Sequence, residues 1–333
     1  MTILSSCKGI RIALSEKILL SSIVILSLST TGCQKEAITK IISNNETTDH
    51  FTANPSTTAT LPPNFGAWIS GYAIDDKMNA CSMINVTYVR DAIELKSFTG
   101  KSSTLDGYVK NGYKLLLNFV YQNASGGKAV PFPTDMTEYR KLLNNALDKY
   151  TPEVAVIENE PTTDKFHSGP IENYITELKA AVAVCKQRGV KVADGALNLQ
   201  WVQTVMNGYS SPDPNYTETK KLIEAYKTID LDYINIHTHA PFNKGDNPDV
   251  FPPNVAQKVA DYLRRETGKE VICNEYNQYN TSTALMNSAV SAFAAGGYKY
   301  FIAHSNDNDG KGKALYSSGN LTDIGVAYKN AVK

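Results

Sequence analysis

The sequence predicts a (β/α)8 TIM barrel, and three observations predict it. Eight short apolar runs begin about 20 to 40 residues apart after Asn64, room for one crossover helix between each pair. Helix-spaced apolar stripes lie between the runs. A glycine just past a helix and directly before a strand occurs four times, in NGYKLL, QRGVKV, TGKEVI and GGYKYF, which is what repeated βα units produce.

In chain order, the strand candidates are FGAWI (65–69), INVTYVR (84–90), YKLLLNF (113–119), EVAVIE (153–158), VKVADG (190–195), DYINIH (232–237), EVICNE (270–275) and YKYFIAH (298–304). Most are continuously apolar, as parallel strands covered on both faces are. Between them, Tyr139, Leu142, Leu143 and Leu147 form one helical stripe. A second comprises Ile171, Tyr174, Ile175, Leu178, Val182 and Cys185, with Gly189 at the C-cap position. A third comprises Val255, Val259, Tyr262 and Leu263, ended by Gly268. The alternative is an open doubly wound sheet. No glycine-rich phosphate loop follows the first strand, which weakens a nucleotide-binding version of it.

The segment 1–33 reads as a leader. Lys8, Arg11 and Lys17 are basic, and ILLSSIVILSL (18–28) is apolar but too short to span a bilayer comfortably. STTGC follows, and Gly32 before Cys33 resembles a bacterial lipoprotein signal in which Cys33 becomes the lipidated first residue. Thr30 stands where Leu is commoner. An ordinary secretory signal or an uncleaved anchor are the other readings, and all three place the chain outside the cytoplasm. The expected location is the bacterial cell envelope, periplasmic or outer-surface, with a membrane contact through the lipid at Cys33. Residues 34–63 are polar, rich in Thr, Ser and Asn, and read as a flexible tether to a domain over 64–333.

Lys plus Arg (33) balance Asp plus Glu (33), so no nucleic-acid partner is expected. Nineteen tyrosines against ten phenylalanines are compatible with ligands that are polar but have flat faces. Cys81, Cys185 and Cys273 are odd in number and widely spaced, which excludes a disulfide framework and a zinc motif. Cys185 sits on the apolar face of a helix pattern and Cys273 at the end of a strand pattern, and both read as buried, inert thiols.

In such a barrel the active site lies at the C-terminal ends of the strands. Read there in turn, the residues are Trp68, Arg90, Asn118, Asn159 with Glu160, Asn198 with Trp201, His237 with His239, Glu275 with Tyr276, and His304 with Asn306. Glu160 and Glu275 stand on strands 4 and 7, roughly opposite in an eight-membered ring. Facing carboxyl groups are the apparatus of glycosidic bond cleavage, one protonated and one ionised. Catalysis is therefore expected at Glu160 and Glu275. Substrate binding is expected at Asn159, Arg90, Asn118, His237, His239, Trp68, Tyr276 and His304. The partner is a carbohydrate, with no cofactor.

NEP closing strand 4 and the glutamate of ICNEYN closing strand 7 resemble the clan A glycoside hydrolases, and loosely the xylosidase and iduronidase-like family 39. The resemblance spans the domain from Asn64 to Lys333. It implies that Glu160 is the acid/base, Glu275 the nucleophile of a retaining double displacement, and Asn159 the amide on the sugar 2-hydroxyl. It also implies that Arg90 hydrogen-bonds the nucleophile. The clan's strand-6 tyrosine and strand-8 tryptophan are absent, since those stretches read NIHTHAP and FIAHSND. His237 or His239 takes the tyrosine's role in this reading, and His304 that of the indole. Glu158, two residues before Glu160, is expected to point the same way unless the strand end bends, and to be a partner of Arg90.

Two rival functions remain at this level. A surface glycan-binding lipoprotein would keep the crown and lose the acid chemistry. A metal-dependent barrel hydrolase would use the HTH pair His237 and His239, completed by His304 and Asp307.

Overall fold

Each apolar run of the sequence becomes one staggered strand of a closed parallel sheet in the computed structural model, which describes residues 62–124, 128–241, 247–306 and 314–333. The leader 1–33 with Cys33, nearly all of the tether 34–63, and Asp307 lie outside the described residues. The strands are β1 (Asn64–Ser70), β2 (Tyr88–Glu94), β3 (Lys114–Val120), β4 (Val154–Ile157), β5 (Lys191–Ala193), β6 (Tyr233–Ala240), β7 (Glu270–Gln278) and β8 (Tyr300–Asn306). Each pairs in parallel with the next, β8 pairs with β1 over seven residues, and β7 pairs with β6, so no edge is left open.

The helices are α1 (Ile74–Ile84), α2 (Ser103–Lys110), α3 (Met136–Lys149), α4 (Ile171–Gln187), α5 (Leu199–Met206), α6 (Pro214–Tyr226), α7 (Pro253–Thr267), α8 (Thr283–Ala295) and α9 (Asp323–Ala331). Ser102, Asp135, Asn198, Asp213, Ser282 and Thr322 cap six of them, their side chains accepting first-turn N–H groups. The four glycines of the repeated turn, Gly112, Gly189, Gly268 and Gly297, have φ of 78°, 67°, 71° and 66°. That left-handed backbone lets the chain leave a helix and enter a strand. Among the described residues no helix is long and apolar enough to cross a membrane.

The pleat sorts the side chains into two cores. Leu116, Val154, Val156, Ala193, Tyr233, Ile272, Tyr300 and Ile302 fill the barrel interior. The alternate residues, such as Leu117, Ala155, Ile157, Ile236, Cys273 and Phe301, pack beneath the helices. Cys81, Cys185 and Cys273 are free and buried, and burial pushes the Cys81 and Cys185 thiols up to about 12, as inert thiols require.

One boundary differs from expectation. The run INVTYVR is not one strand: Ile84 ends α1, Asn85 turns the chain with φ 67°, and β2 starts at Tyr88. An apolar helix end and an apolar strand start had merged in the sequence. Arg90 is consequently the third residue of β2, below the rim and buried, rather than the strand's last residue.

β5 is short because the chain turns at Asp194–Ala196, and Leu197–Asn198 then resumes pairing with β6. Gly195 in this turn packs against the exit of β4: a Cβ there would lie 2.5 Å from the Ile157 carbonyl oxygen and 3.2 Å from Pro161 Cδ. The Gly195 carbonyl accepts the Glu160 N–H at 2.7 Å. Gly195→Ala is therefore expected to destabilise the chain by about 1–3 kcal/mol, as overpacking does, with a matching drop in the midpoint of chemical denaturation.

Candidate active site

The two strand exits that carry glutamates both break regular geometry. On β4, Val154 and Val156 face the barrel interior, so Glu158 should face it too. Glu158 instead has φ 67° and Glu160 φ 48°. This left-handed backbone turns Glu158 outward and brings Asn159 and Glu160 to the mouth. On β7, the register slips between Cys273 and Glu275, so Asn274 is an extra residue in the ladder. Ile272 and Asn274 face inward by parity, and the bulge lets Glu275 face inward as well. Without it, Glu275 would point to the helices and Tyr276 to the mouth.

Arg90 stands at the centre. Its Nη1 donates to Glu275 Oε2 at 2.6 Å and to the Asn274 carbonyl at 3.1 Å. Its Nη2 donates to Asn159 Oδ1 at 2.7 Å, and its Nε to Asn118 Oδ1 at 3.1 Å. The guanidinium lies 4.0 Å from the Trp68 ring centroid. Trp68 also stacks with His304, centroids 4.2 Å apart. His304 Nε2 meets Ser70 Oγ at 2.7 Å.

Beneath Arg90 lies a layer of buried amides. Asn274 Nδ2 donates to Asn118 Oδ1, and Asn235 Nδ2 donates to Asn274 Oδ1 at 2.8 Å. Asp194 accepts the Asn235 N–H at 2.6 Å. His237 completes the layer with Nε2 2.7 Å from Asn274 Oδ1 and Nδ1 2.9 Å from Glu160 Oε1. Since Asn274 Oδ1 is an acceptor, Nε2 carries a hydrogen. Nδ1 and the Glu160 carboxyl are then joined by one hydrogen bond.

The two carboxyl groups thus sit close together in unlike surroundings. One oxygen of each, with a ring nitrogen of His239, lies within 4.8 Å of the others. Burial opposes ionisation of Glu275, yet His237, Arg90, His304 and His239 outweigh it and hold its carboxyl far below the ordinary range. Glu160 is half-buried, which opposes its ionisation, yet the hydrogen bond and charge of His237 bring it below the ordinary range. Burial pushes the His239 and His304 imidazoles down, His304 to about 4. Arg90, at 2.6 Å and always charged, is the cation that sets Glu275.

The structure brings Glu160, Glu275, Asn159, Arg90, His237, His239, Trp68 and His304 together at the barrel mouth. Asn118 belongs there as a buried support for Arg90. Four expectations change. Tyr276 points away from the mouth, buried against Phe251, Phe293 and Phe301, with its hydroxyl on Gln278, so it does not reach substrate. His237 pairs with Glu160, lying 3.6 Å from Glu275 Oε2, and His239 lies 3.7 Å from Glu275 Oε1. Asn198 caps α5 and Trp201 lies half-buried on that helix. Glu158 makes no contact with Arg90; its Oε1 accepts the Tyr121 N–H at 2.7 Å. The sequence reading missed Asn235, Asn274 and Asp194. The available signal was a polar residue at inward parity within an apolar strand.

No family model matches the sequence, and no curated protein matches it. Solved structures do. The chain is similar to a GH128 subgroup II endo-β-1,3-glucanase from Sorangium cellulosum, at 15% identity over 80% of this chain and 98% of that one, TM-score 0.54. It is similar to a GH30 endoxylanase from Clostridium papyrosolvens, at 14% identity over 81% and 72%, TM-score 0.55. A family 1 β-glucosidase from Thermotoga maritima aligns at 12% identity over 82% and 98%, TM-score 0.53. The fold is the (β/α)8 barrel that these structures share.

Behind the β4 exit, Glu158 and Glu177 are wholly buried with Tyr139, and neither Glu177 oxygen has a well-formed hydrogen bond. Burial pushes Glu158 up to about 7 and Glu177 well above its ordinary range, with Glu158 adding to the latter. Burial also takes Asp194 to about 7. A carboxyl raised in the fold contributes stability at acid pH and loses it as pH rises through the folded value. His167, His239 and His304, lowered by burial from 6.5, oppose this at acid pH, so the melting temperature should fall between about pH 6.5 and pH 8, by about 2–4 °C. Glu177→Gln should flatten that fall in a pH series of thermal melts.

Proposed function

We propose that the chain is a retaining glycoside hydrolase with Glu275 as nucleophile and Glu160 as acid/base. The observation that carries this reading is the pair of carboxyl oxygens within 4.8 Å, one group beside a fixed cation and the other hydrogen-bonded to an imidazole. That closeness suits direct carboxylate attack, for which about 5–5.5 Å is usual, better than the roughly 6.5–9.5 Å that admits an intervening water. The three similar structures are named for action on glycosides, which supports the substrate class.

In the first step a Glu275 oxygen bonds to the anomeric carbon as the bond to the leaving oxygen breaks. Glu160, hydrogen-bonded to His237 Nδ1, gives that oxygen its proton. In the second step the Glu160 carboxylate takes a proton from water. The water oxygen attacks the anomeric carbon and Glu275 departs as carboxylate. Asn159 has its Oδ1 occupied by Arg90, so its Nδ2 hydrogens are the ones offered to the sugar 2-hydroxyl. Asn118 and Asn274 hold the guanidinium that keeps Glu275 ionised.

Metal-dependent hydrolysis is the second reading, favoured by the closeness of Glu160, His239 and Glu275. Against it, Arg90 places a permanent cation 2.6 Å from one would-be ligand group, and His237 is turned to Asn274 and Glu160. Turnover that survives a chelator is the expected outcome. We place the domain at the bacterial cell envelope, held by a lipid on Cys33. Cys33→Ala should shift the chain from the membrane to the soluble fraction.

On aryl glycosides and oligosaccharides, Glu275→Gln should abolish turnover, while the exposed Glu172→Gln leaves it unchanged. Glu160→Gln should cost about 10²–10⁴ with a poor leaving group, the worth of general acid catalysis. It should cost far less with a dinitrophenyl leaving group, which departs without a proton. Equal losses on both substrates would remove Glu160 from the acid role, and full turnover by Glu275→Gln would remove the mechanism.

A further inference from the structure

A cavity of about 160 Å³ opens beside the catalytic pair without including it. Its inner end is Trp68, Arg90 and Asn159, and its outer wall is Gln122, Asn123 and Phe166. Ala92 forms part of its floor, exposed at inward parity on β2, and its small side chain leaves the space open.

The outer wall is firmly built. The Phe166 N–H donates to the Thr163 carbonyl at 2.9 Å, and the Phe166 carbonyl accepts the Val130 N–H at 3.0 Å. The latter bond continues into a two-residue parallel ladder, Val130–Pro131 with His167–Ser168, which ties the segment after β3 to the segment after β4. His167 Nε2 lies 2.9 Å from the Asn159 carbonyl oxygen, and its ring stacks on Phe132 with centroids 4.5 Å apart. The wall is therefore locked to the catalytic strand exit. Asn123 Nδ2 donates to Glu94, and Gln122 Oε1 meets Lys96 Nζ at 3.4 Å. These bonds leave the Asn123 carbonyl as an acceptor and the Gln122 amide hydrogens as donors.

An aromatic ring facing planar amides that offer both donors and acceptors suits a pyranose, with its apolar face and its ring of hydroxyls. The volume is about half the roughly 300 Å³ at which sites for drug-sized ligands begin. It holds one sugar unit, not two. Arg90, the one permanent cation in the lining, is committed to Glu275 and Asn159, and Asp91 is paired with Lys77. Lys165 Nζ lies 5.3 Å from the Phe166 ring centroid and Lys96 is bonded to Gln122, but both stand outside the lining, so a uronic acid would meet no uncommitted cation within the cavity itself. We propose that Phe166, Gln122 and Asn123 form a subsite for one neutral glycosyl unit, next to the unit that undergoes cleavage. The proposal rests on the glycosidase reading for its neighbour, but its own content is binding.

The test is calorimetric titration of the full chain with laminaritriose, xylotriose, mannotriose and trigalacturonic acid, with sugar release measured on the same samples. At least one neutral trisaccharide should bind and the triuronate should not. Phe166→Ala and the double variant Gln122→Ala/Asn123→Ala should each weaken that binding about tenfold or more, with unchanged melting temperature. Phe166→Tyr should restore it, because the ring is kept. Unaltered affinity in both weakened variants, preference for the triuronate, or no binding of any trisaccharide would overturn the subsite. Binding that depends on Phe166 without any sugar release would keep the subsite and remove the glycosidase reading.

Discussion

The buried ion pair of Arg90 and Glu275 is the constraint on which the barrel mouth is built. Its oxygen and nitrogen are 2.6 Å apart, and both side chains are almost withdrawn from water. Such a pair repays its desolvation only when the remaining donors are satisfied too. Here Asn118, Asn159 and the Asn274 carbonyl take them. The partners come from β3, from the exit of β4 and from β7, so one guanidinium sets the relative positions of β2, β3, β4 and β7. Removing any one partner would leave a buried donor or charge, which is expensive in a low-dielectric interior.

Two backbone irregularities make this convergence possible. The slipped register at Asn274 turns two consecutive side chains inward, one for the amide layer and one for the arginine. The left-handed residues Glu158 and Glu160 do the corresponding job on β4. Both are strained or irregular states that persist only when the surroundings over-determine them. On β4 the surroundings are Gly195, whose missing side chain admits the Ile157 carbonyl, and the bond from the Glu160 N–H to the Gly195 carbonyl. Glu158, turned out, is fixed by the Tyr121 N–H and faces Glu177. A carboxyl that would have been a third charge in the mouth is thereby kept behind it.

The electrostatics of the mouth follow from this arrangement. Glu275 faces the permanent charge of Arg90, whereas Glu160 faces the imidazole of His237. Two similar carboxyl groups are both held below the ordinary range, but by different partners. The amide layer adds direction: Asn274 fixes the Nε2 hydrogen of His237, so the ring turns its Nδ1 to Glu160.

The barrel was legible in the sequence because hydrophobic periodicity and left-handed glycines are local properties, and four repeats of helix, glycine and strand leave few other closures. The candidates Glu160, Glu275 and Asn159 were legible because polar residues ending apolar strands stand out, and Arg90 because a charge beside an apolar run does, although it sits within β2 and not at its end. The facing direction of Glu158 and Tyr276, the recruitment of His237 by Glu160, and the Asn274 layer were decided only by the tertiary structure. A single slipped residue reverses the parity of everything after it. Whether a strand slips depends on partners more than a hundred residues away, such as Arg90 for Glu275, and no local pattern in the chain encodes that distance.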